Sequence, residues 1–280
     1  MKKLKIFIAF LLVSIFAHAQ TTVKMMSFNI RLDVKSDGVN QWDLRKEKVA
    51  SLINYHEPDF MGAQEVQHHQ LQFLLNNLKG YAYIGVGRDD GKTEGEYSCI
   101  FYKKDMYNMI QQNTFWLSPT PDSVSFGWNA ACRRVVTYGL FQHKKTKQFI
   151  WVFNTHFDHI SAEAREESAK LIVQKIKELN SKNYPVMVSG DFNSKPTEAP
   201  AQYMMANMDN ARAKATLQYG PADTWNAFKF DQPASGCIDY IFVSKNKKIS
   251  VQKFATLTDS YDMKYPSDHF PIMATININK

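Results

Sequence analysis

Eight residues of this 280-residue chain stand out for their chemical type and their neighbours: Asn29, Glu65, His156, Asp191, Asn193, Asp239, Asp268 and His269. All are acids, imidazoles or amides at the edges of short apolar runs. Ser27-Phe28-Asn29-Ile30-Arg31 closes one run, Gln64-Glu65-Val66 a second and Asn154-Thr155-His156-Phe157-Asp158 a third. Val186 to Gly190 leads into Asp191-Phe192-Asn193, Asp239 lies within Ile238-Asp239-Tyr240-Ile241, and Ser267-Asp268-His269 opens the last run. Strand ends gather at one rim of a sheet, where loops carry function. Singly, each residue has an ordinary reading: Asp191 and Asn193 suit an Asx turn, Glu65 a solvated position before a helix, His156 and His269 core histidines bonded to backbone. Asp239 is different, because a carboxylate flanked by Ile238 and Tyr240 is partly buried and needs a partner.

Together these residues match the parts list for hydrolysis of a phosphate ester. A hard divalent cation must offset charge on the phosphoryl oxygens, and Glu65 with Asn29 or Asp268 suits Mg²⁺ or Mn²⁺ better than Zn²⁺. A base must activate water, for which His269 held by Asp239 forms a candidate dyad. Donors must stabilise pentacoordinate phosphorus, a task that fits Asn193 and a protonated His156. The sequence has no Gly-rich phosphate loop, no Cys nucleophile motif and no G-x-S-x-G elbow. Direct attack by water is therefore the economical mechanism.

Positioning these groups requires many strands. Runs rich in Val, Ile, Phe, Tyr and Met predict them over Val23–Ile30, Asp59–Gln64, Tyr81–Val86, Ser98–Tyr102, Asn108–Trp116, Val135–Phe141 and Phe149–Thr155. Pro185–Ser189, Ile238–Val243, Val251–Leu257 and Phe270–Ile278 continue the series. Helical periodicity marks Leu44–Tyr55, His69–Leu78 and Ala162–Leu179, the last with Ser161 as N-cap, Glu163 in its first turn and Lys177 near its end. Such a mixture favours an α+β sandwich over a doubly wound sheet or an eightfold barrel. The Gly- and acid-rich stretch Gly87–Glu96 reads as a mobile surface loop.

The first residues carry a different signal. Met1-Lys2-Lys3-Leu4-Lys5, an apolar run from Ile6 to Ala17 and Ala17-His18-Ala19 form a secretory leader over residues 1–19. That run is well short of the roughly 20 residues that span a bilayer, and nothing later is apolar enough to insert stably in a membrane. The expectation is an exported protein, periplasmic or extracellular, with residues 20–280 as one domain. Removing Lys2, Lys3 and Lys5 lowers the formal charge from +7 by 3 to +4, which tolerates a polyanion without demanding one. Cys99, Cys132 and Cys237 are too few and too widely spaced for a disulfide framework. Nothing calls for an obligate protein partner.

In order along the chain, Ser27-Phe28-Asn29-Ile30, Pro58-Asp59, Gln64-Glu65-Val66, Glu96, Asn154-Thr155-His156, Gly190-Asp191-Phe192-Asn193, Ile238-Asp239-Tyr240-Ile241 and Ser267-Asp268-His269 resemble the motifs of the endonuclease/exonuclease/phosphatase superfamily, the deoxyribonuclease-I-like fold. The resemblance spans essentially the whole chain after the leader. It implies a four-layer α/β/β/α sandwich, two facing mixed sheets flanked by helices, with the site at one rim. By that likeness Glu65 is the principal metal ligand, helped by Asn29 and Asp268, Asn193 contacts phosphate, and Glu96 orients His156. The base role falls to Asp191 or to His269 with Asp239. Asn40-Gln41-Trp42-Asp43-Leu44-Arg45, Cys132-Arg133-Arg134 and the extension to His159 resemble an exported bacterial subgroup, in which Arg134 is a candidate substrate-phosphate contact. The leading expectation is a Mg²⁺-dependent phosphodiesterase or nuclease, with nucleic acid as a possible substrate. The alternatives are a phosphomonoesterase for a sugar or lipid phosphate and a catalytically silent binding protein.

Overall fold

A computed structural model describes residues 20–279; the expected leader lies outside them. In chain order the strands are β1 (Thr21–Asn29), β2 (Phe60–Val66), β3 (Tyr81–Ile84), β4 (Tyr97–Lys103), β5 (Tyr107–Trp116), β6 (Val135–His143) and β7 (Phe149–His156). They continue with β8 (Val186–Asp191), β9 (Met208–Asn210), β10 (Leu217–Tyr219), β11 (Asp239–Ser244), β12 (Ile249–Thr256) and β13 (Ile272–Ile278). The helices are α1 (Trp42–His56), α2 (His68–Asn77), α3 (Ala162–Leu179), α4 (Ala199–Asn207) and α5 (Ala211–Lys214). Every strand and helix expected from periodicity is present. The elements that periodicity does not reveal are short: β9, β10 and α5 hold too few residues to show a period, and α4 carries Pro200 in its first turn.

Two mixed sheets face each other, one in the order β10-β12-β13-β1-β2-β4-β3 and one in the order β5-β6-β7-β8-β11-β9. An apolar core fills the space between them, including Val23, Met25, Phe60, Phe141, Val152, Met187, Ile241 and Ile272. A second cluster packs the outer face of the first sheet against α1 and α2, and a third packs the outer face of the second sheet against α3 and α4. These are the four layers that the resemblance implies.

Strand alternation carries the core chemistry to the rim. On β1, Met26 and Phe28 face the helices while Val23 and Met25 face the other sheet; Ser27 and Asn29 continue that inner row. On β7, inner Ile150 and Val152 give way to Asn154 and His156, and on β8 Met187 is followed by Ser189 and Asp191. Each inner row is apolar at one end of the sandwich and polar at the other. β1 and β2 are parallel, as are β7 and β8, so their C-terminal ends lie at the same rim. β11 and β13 run antiparallel to β8 and β1, which brings the beginning of β11 and the approach to β13 to that rim too.

Beneath the rim a buried polar layer joins the sheets. Gln64 donates to Ser27 Oγ (3.2 Å) and Asn154 Oδ1 (2.7 Å), Ser189 donates to the same Oδ1 (3.0 Å), and Asn154 Nδ2 donates to the Ala63 and Cys99 carbonyls (3.0 and 2.9 Å). Gly62 makes this approach possible, since a Cβ there would collide with Ser189 Oγ and the Asn154 amide. Gly62→Ala should therefore cost about 2–3 kcal/mol through overpacking. Chemical denaturation checks this, and an unchanged midpoint would mean that the sheets part at this point without penalty.

Candidate active site

The polar ends of the inner rows line a cleft of about 680 Å³. Asp191, at the end of β8, is its centre. It lies in register with His156 of parallel β7 on one side and with Asp239 of antiparallel β11 on the other. Asp191 Oδ2 accepts from Asn29 Nδ2 (3.0 Å) and lies 3.6 Å from His156 Nε2 and 3.7 Å from His269 Nε2. Its Oδ1 accepts from the Asn193 backbone N–H (2.9 Å), so the Asx turn and the functional placement coexist. Burial first, then Asp239, pushes the Asp191 carboxyl up to about 7.

Asp239 binds His269 as the sequence pairs them, with Oδ2 2.9 Å from Nδ1. Burial works against charge on His269, yet Asp239, Asp191 and Asp268 outweigh it and hold the imidazole well above its ordinary value. His269 is a cation here. His156 behaves in the opposite way, and the expectation that it is protonated is corrected. Burial, then the neighbouring Arg134 and Arg88, hold it well below the ordinary histidine value. Asn193 Nδ2 donates to the Phe157 carbonyl (3.0 Å), which fixes the amide's orientation, and the same nitrogen faces His156 Nε2 at 3.1 Å. Nε2 must then accept, and the proton sits on Nδ1. That Nδ1 is buried and has no partner.

Glu96 does not orient His156 through a hydrogen bond. Both of its oxygens are taken by Arg88 in a fork (2.6 and 3.0 Å), leaving His156 Nδ1 at 4.0 Å. The stretch expected to be mobile is this wall of the cleft. Arg88 and Asp89 backbone amides bond to Glu96 and Glu94, and Asp90 caps the turn.

Glu65 reaches the cleft by an irregular route. By parity it belongs to the outer face of β2, but register shifts between Ala63 and Val66, and Glu65 adopts φ 60°. The bulge turns its carboxylate inward, where Oε1 accepts from Asn29 Nδ2 (2.9 Å) and Oε2 from the Leu32 N–H (3.0 Å). Asn29 is thus a donor bridging Glu65 and Asp191, its Oδ1 occupied by the Arg31 N–H (3.0 Å). Asp268 lies across from Glu65 with Arg31 between them, 3.9 Å from each, while Arg31 forks onto Asp37 (3.0 Å). Burial raises the Asp268 carboxyl. Ligand atoms of Glu65, His156 and Asp191 lie within 4.8 Å of one another, as do those of Asp191, Asp239 and His269. Clustered carboxylate oxygens fit a hard divalent cation, and Glu65 belongs to both the expected ligand set and the first observed group.

Arg134 lies at the cleft wall just before β6. Arg31, Asp37, Arg88, Trp225 and Phe228 also line the cleft, although nothing in the sequence patterns singles them out. Arg31 directly follows the Ser27–Ile30 motif, a signal that could have found it, whereas Trp225 and Phe228 lie in an irregular loop with no periodic signal. Backbone N–H groups of Asn226 and Ala227 bond the Asp268 carbonyl (2.8 and 3.0 Å), and Ala227 and Phe228 both adopt positive φ. The Asn40–Arg45 motif also has a role. Arg45 is buried and fans onto the carbonyls of Ile30, Arg31 (2.7 Å), Asn40 (2.9 Å) and Pro266 (3.2 Å), tying the loop after β1 to the one bearing Asp268.

A sequence model described as the Endonuclease/Exonuclease/phosphatase family matches residues 26–269. The chain belongs to the endonuclease/exonuclease/phosphatase family. Its members hydrolyse phosphoesters. Among solved structures, an endonuclease/exonuclease/phosphatase of Bacteroides vulgatus is 40% identical with a TM-score of 0.87, covering 92% of this chain and 99% of that one. The mannosyl-6-phosphatase of Bacteroides thetaiotaomicron is 37% identical with a TM-score of 0.88, covering 91% and 99%. The Ccr4 exoribonuclease subunit of Saccharomyces cerevisiae is 21% identical over 85% of this chain, which spans only 36% of that protein's length.

The raised Asp191 carboxyl makes stability depend on pH. Between its ordinary value of 3.8 and about 7, the native state keeps a proton that the unfolded chain has released. Metal-free protein should therefore lose stability as pH rises through that window, by on the order of 4 kcal/mol. Asp191→Asn should flatten the slope in urea titrations run with EDTA. Parallel slopes for the two proteins would show that Asp191 is already ionised at low pH.

Proposed function

We propose that this protein is an exported, Mg²⁺- or Mn²⁺-dependent phosphomonoesterase acting on a phosphorylated sugar. The observation that carries the reading is the bounded cleft, in which Trp225 and Phe228 stand beside the carboxylate and histidine cluster. A cleft of this volume suits a small ligand. Trp225 is 41% exposed and offers a flat apolar face with a polar edge, the kind of surface on which a sugar ring can lie. Arg31, Arg88 and Arg133 turn onto Asp37, Glu96 and Asp89 instead of lining an open basic track, which favours this reading over a nuclease. The likeness to a mannosyl-6-phosphatase supports the same choice.

In the proposed reaction, water attacks phosphorus in line with the sugar oxygen. Asp191 accepts the water's proton, because His269, already a cation held by Asp239, has no basic site to offer. His269 and the Nδ1–H of His156 face the charge that grows on the phosphoryl oxygens. A divalent cation held by Glu65, with water completing its shell, would supply further charge offset. Cleavage of the P–O bond releases inorganic phosphate and the sugar, whose oxygen takes up a proton from solvent water, and Asp191 returns its proton to solvent.

Purified residues 20–280 should hydrolyse hexose 6-phosphates with Mg²⁺ and lose that activity in EDTA. His269→Ala should reduce kcat by about 10²–10³-fold, and Trp225→Ala should raise KM for the sugar phosphate while sparing kcat. Hydrolysis of DNA or RNA, with sugar phosphates left intact, would refute the substrate assignment. Expressed from the full chain in a bacterial host, the mature protein should be exported and begin at Gln20. Retention of Met1 on cytoplasmic protein would refute the export assignment.

A further inference from the structure

Two side chains in the cleft wall are buried with donors left over. The Arg134 side chain is only 5% exposed, yet its Nε and Nη1 have no hydrogen-bond partner. Its single side-chain hydrogen bond is from Nη2 to His159 Nδ1 (3.0 Å), a neutral acceptor when the imidazole is uncharged. Asp158 comes within 3.7 Å of Nε, but its oxygens are occupied by backbone N–H groups: Oδ2 by Ala131 (3.0 Å) and Cys132 (3.4 Å), Oδ1 by Ile160 (3.0 Å) and Ser161 (2.8 Å). Glu96, another acid near this wall, is held in a fork by Arg88. His156, 7% exposed, adds its unpartnered Nδ1.

A buried guanidinium with free N–H groups is costly unless an anion completes it. The two ends of the cleft differ in charge. Glu65, Asp191 and Asp268 lie on one side, with Asp239 behind His269, whereas Arg88, Arg134 and His159 stand near His156 on the other. The phosphate of a monoester has three non-bridging oxygens and close to two negative charges near neutral pH. A diester has two such oxygens and one charge, and its second substituent occupies the third position.

We propose that Arg134, beside the Nδ1–H of His156, receives the third phosphoryl oxygen, so that this wall selects phosphomonoesters over phosphodiesters. The inference rests on the phosphoester-hydrolase reading above and adds the residue that decides the ester class. Free N–H donors on a permanently charged guanidinium match a terminal phosphate oxygen, whereas an ester substituent in that position would leave them unpaired.

The test compares Arg134→Gln and Arg134→Lys with the parent on mannose 6-phosphate and on bis(p-nitrophenyl) phosphate, with inorganic phosphate as a competitive inhibitor. Arg134→Gln should lower the monoester-to-diester ratio of kcat/KM by at least about 30-fold and weaken inhibition by phosphate by about tenfold or more. Arg134→Lys keeps the charge and loses the planar set of donors, and should fall between; it carries the test if the Gln variant fails to fold. Equal losses on both esters, or unchanged phosphate inhibition, would overturn the proposal. A parent enzyme that cleaves only the diester would overturn the monoesterase reading as well. A parent that cleaves the monoester, with an unaltered ratio in both variants, would overturn this inference alone.

Discussion

The site depends on charge balance in a place where water screens poorly. Glu65, Glu96, Asp191 and Asp268 line one cleft with Asp239 behind His269, and an isolated carboxylate so removed from water would be neutralised or expelled. The protein answers with fixed donors of opposite sign. Arg88 forks onto Glu96, His269 is shared between Asp239 and Asp191, Arg31 stands between Glu65 and Asp268, and the Asn29 amide bridges Glu65 and Asp191. The same low-polarity setting that raises the Asp191 carboxyl also strengthens each interaction offered to a charged transition state.

Holding such a cluster requires a rigid floor. The layer formed by Gln64, Asn154, Ser189 and Ser27 supplies one, since each hydrogen bond crosses or braces the two sheets directly below the charged residues. Arg45 performs a related task from the side by drawing the loop after β1 toward the loop before β13. Several non-glycine residues of the same region hold unfavourable backbone angles. Arg31, Glu65, Asn193, Ala227 and Phe228 all have positive φ, a conformation that non-glycine residues hold only where surrounding contacts compel it.

These constraints separate the roles of the two histidines. Neither imidazole is exposed, but His269 lies between carboxylates and keeps its proton, whereas His156 lies among arginines and stays neutral. One presents a cation and the other a directed N–H. The distinction comes from which strand neighbours which, because β7 adjoins the arginine-bearing wall and β11 brings Asp239 toward the β13 loop.

Alternation along β1, β7 and β8 makes much of this arrangement legible in the amino-acid sequence. A strand's period of two assigns Asn29, His156 and Asp191 to the inward rows of Val23, Ile150 and Met187, and apolar flanks mark Asp239 as buried. Those are local properties of the chain. Glu65 shows where local reasoning ends, since its parity points outward and only a bulge brings it to the cleft. Trp225, Phe228 and Arg88 come from irregular loops, and their positions follow from contacts with residues far away in sequence. The proton on His156 and the engagement of Glu96 are likewise settled by tertiary neighbours, because charge state and hydrogen-bond choice depend on burial and on what competes for each atom. The sequence alone determined the longer strands, the layered class and the residues that could do chemistry at phosphorus. The folded structure decided which of them meet, which keep a proton and which donors remain free, because those outcomes arise from distances between segments that the chain order does not contain.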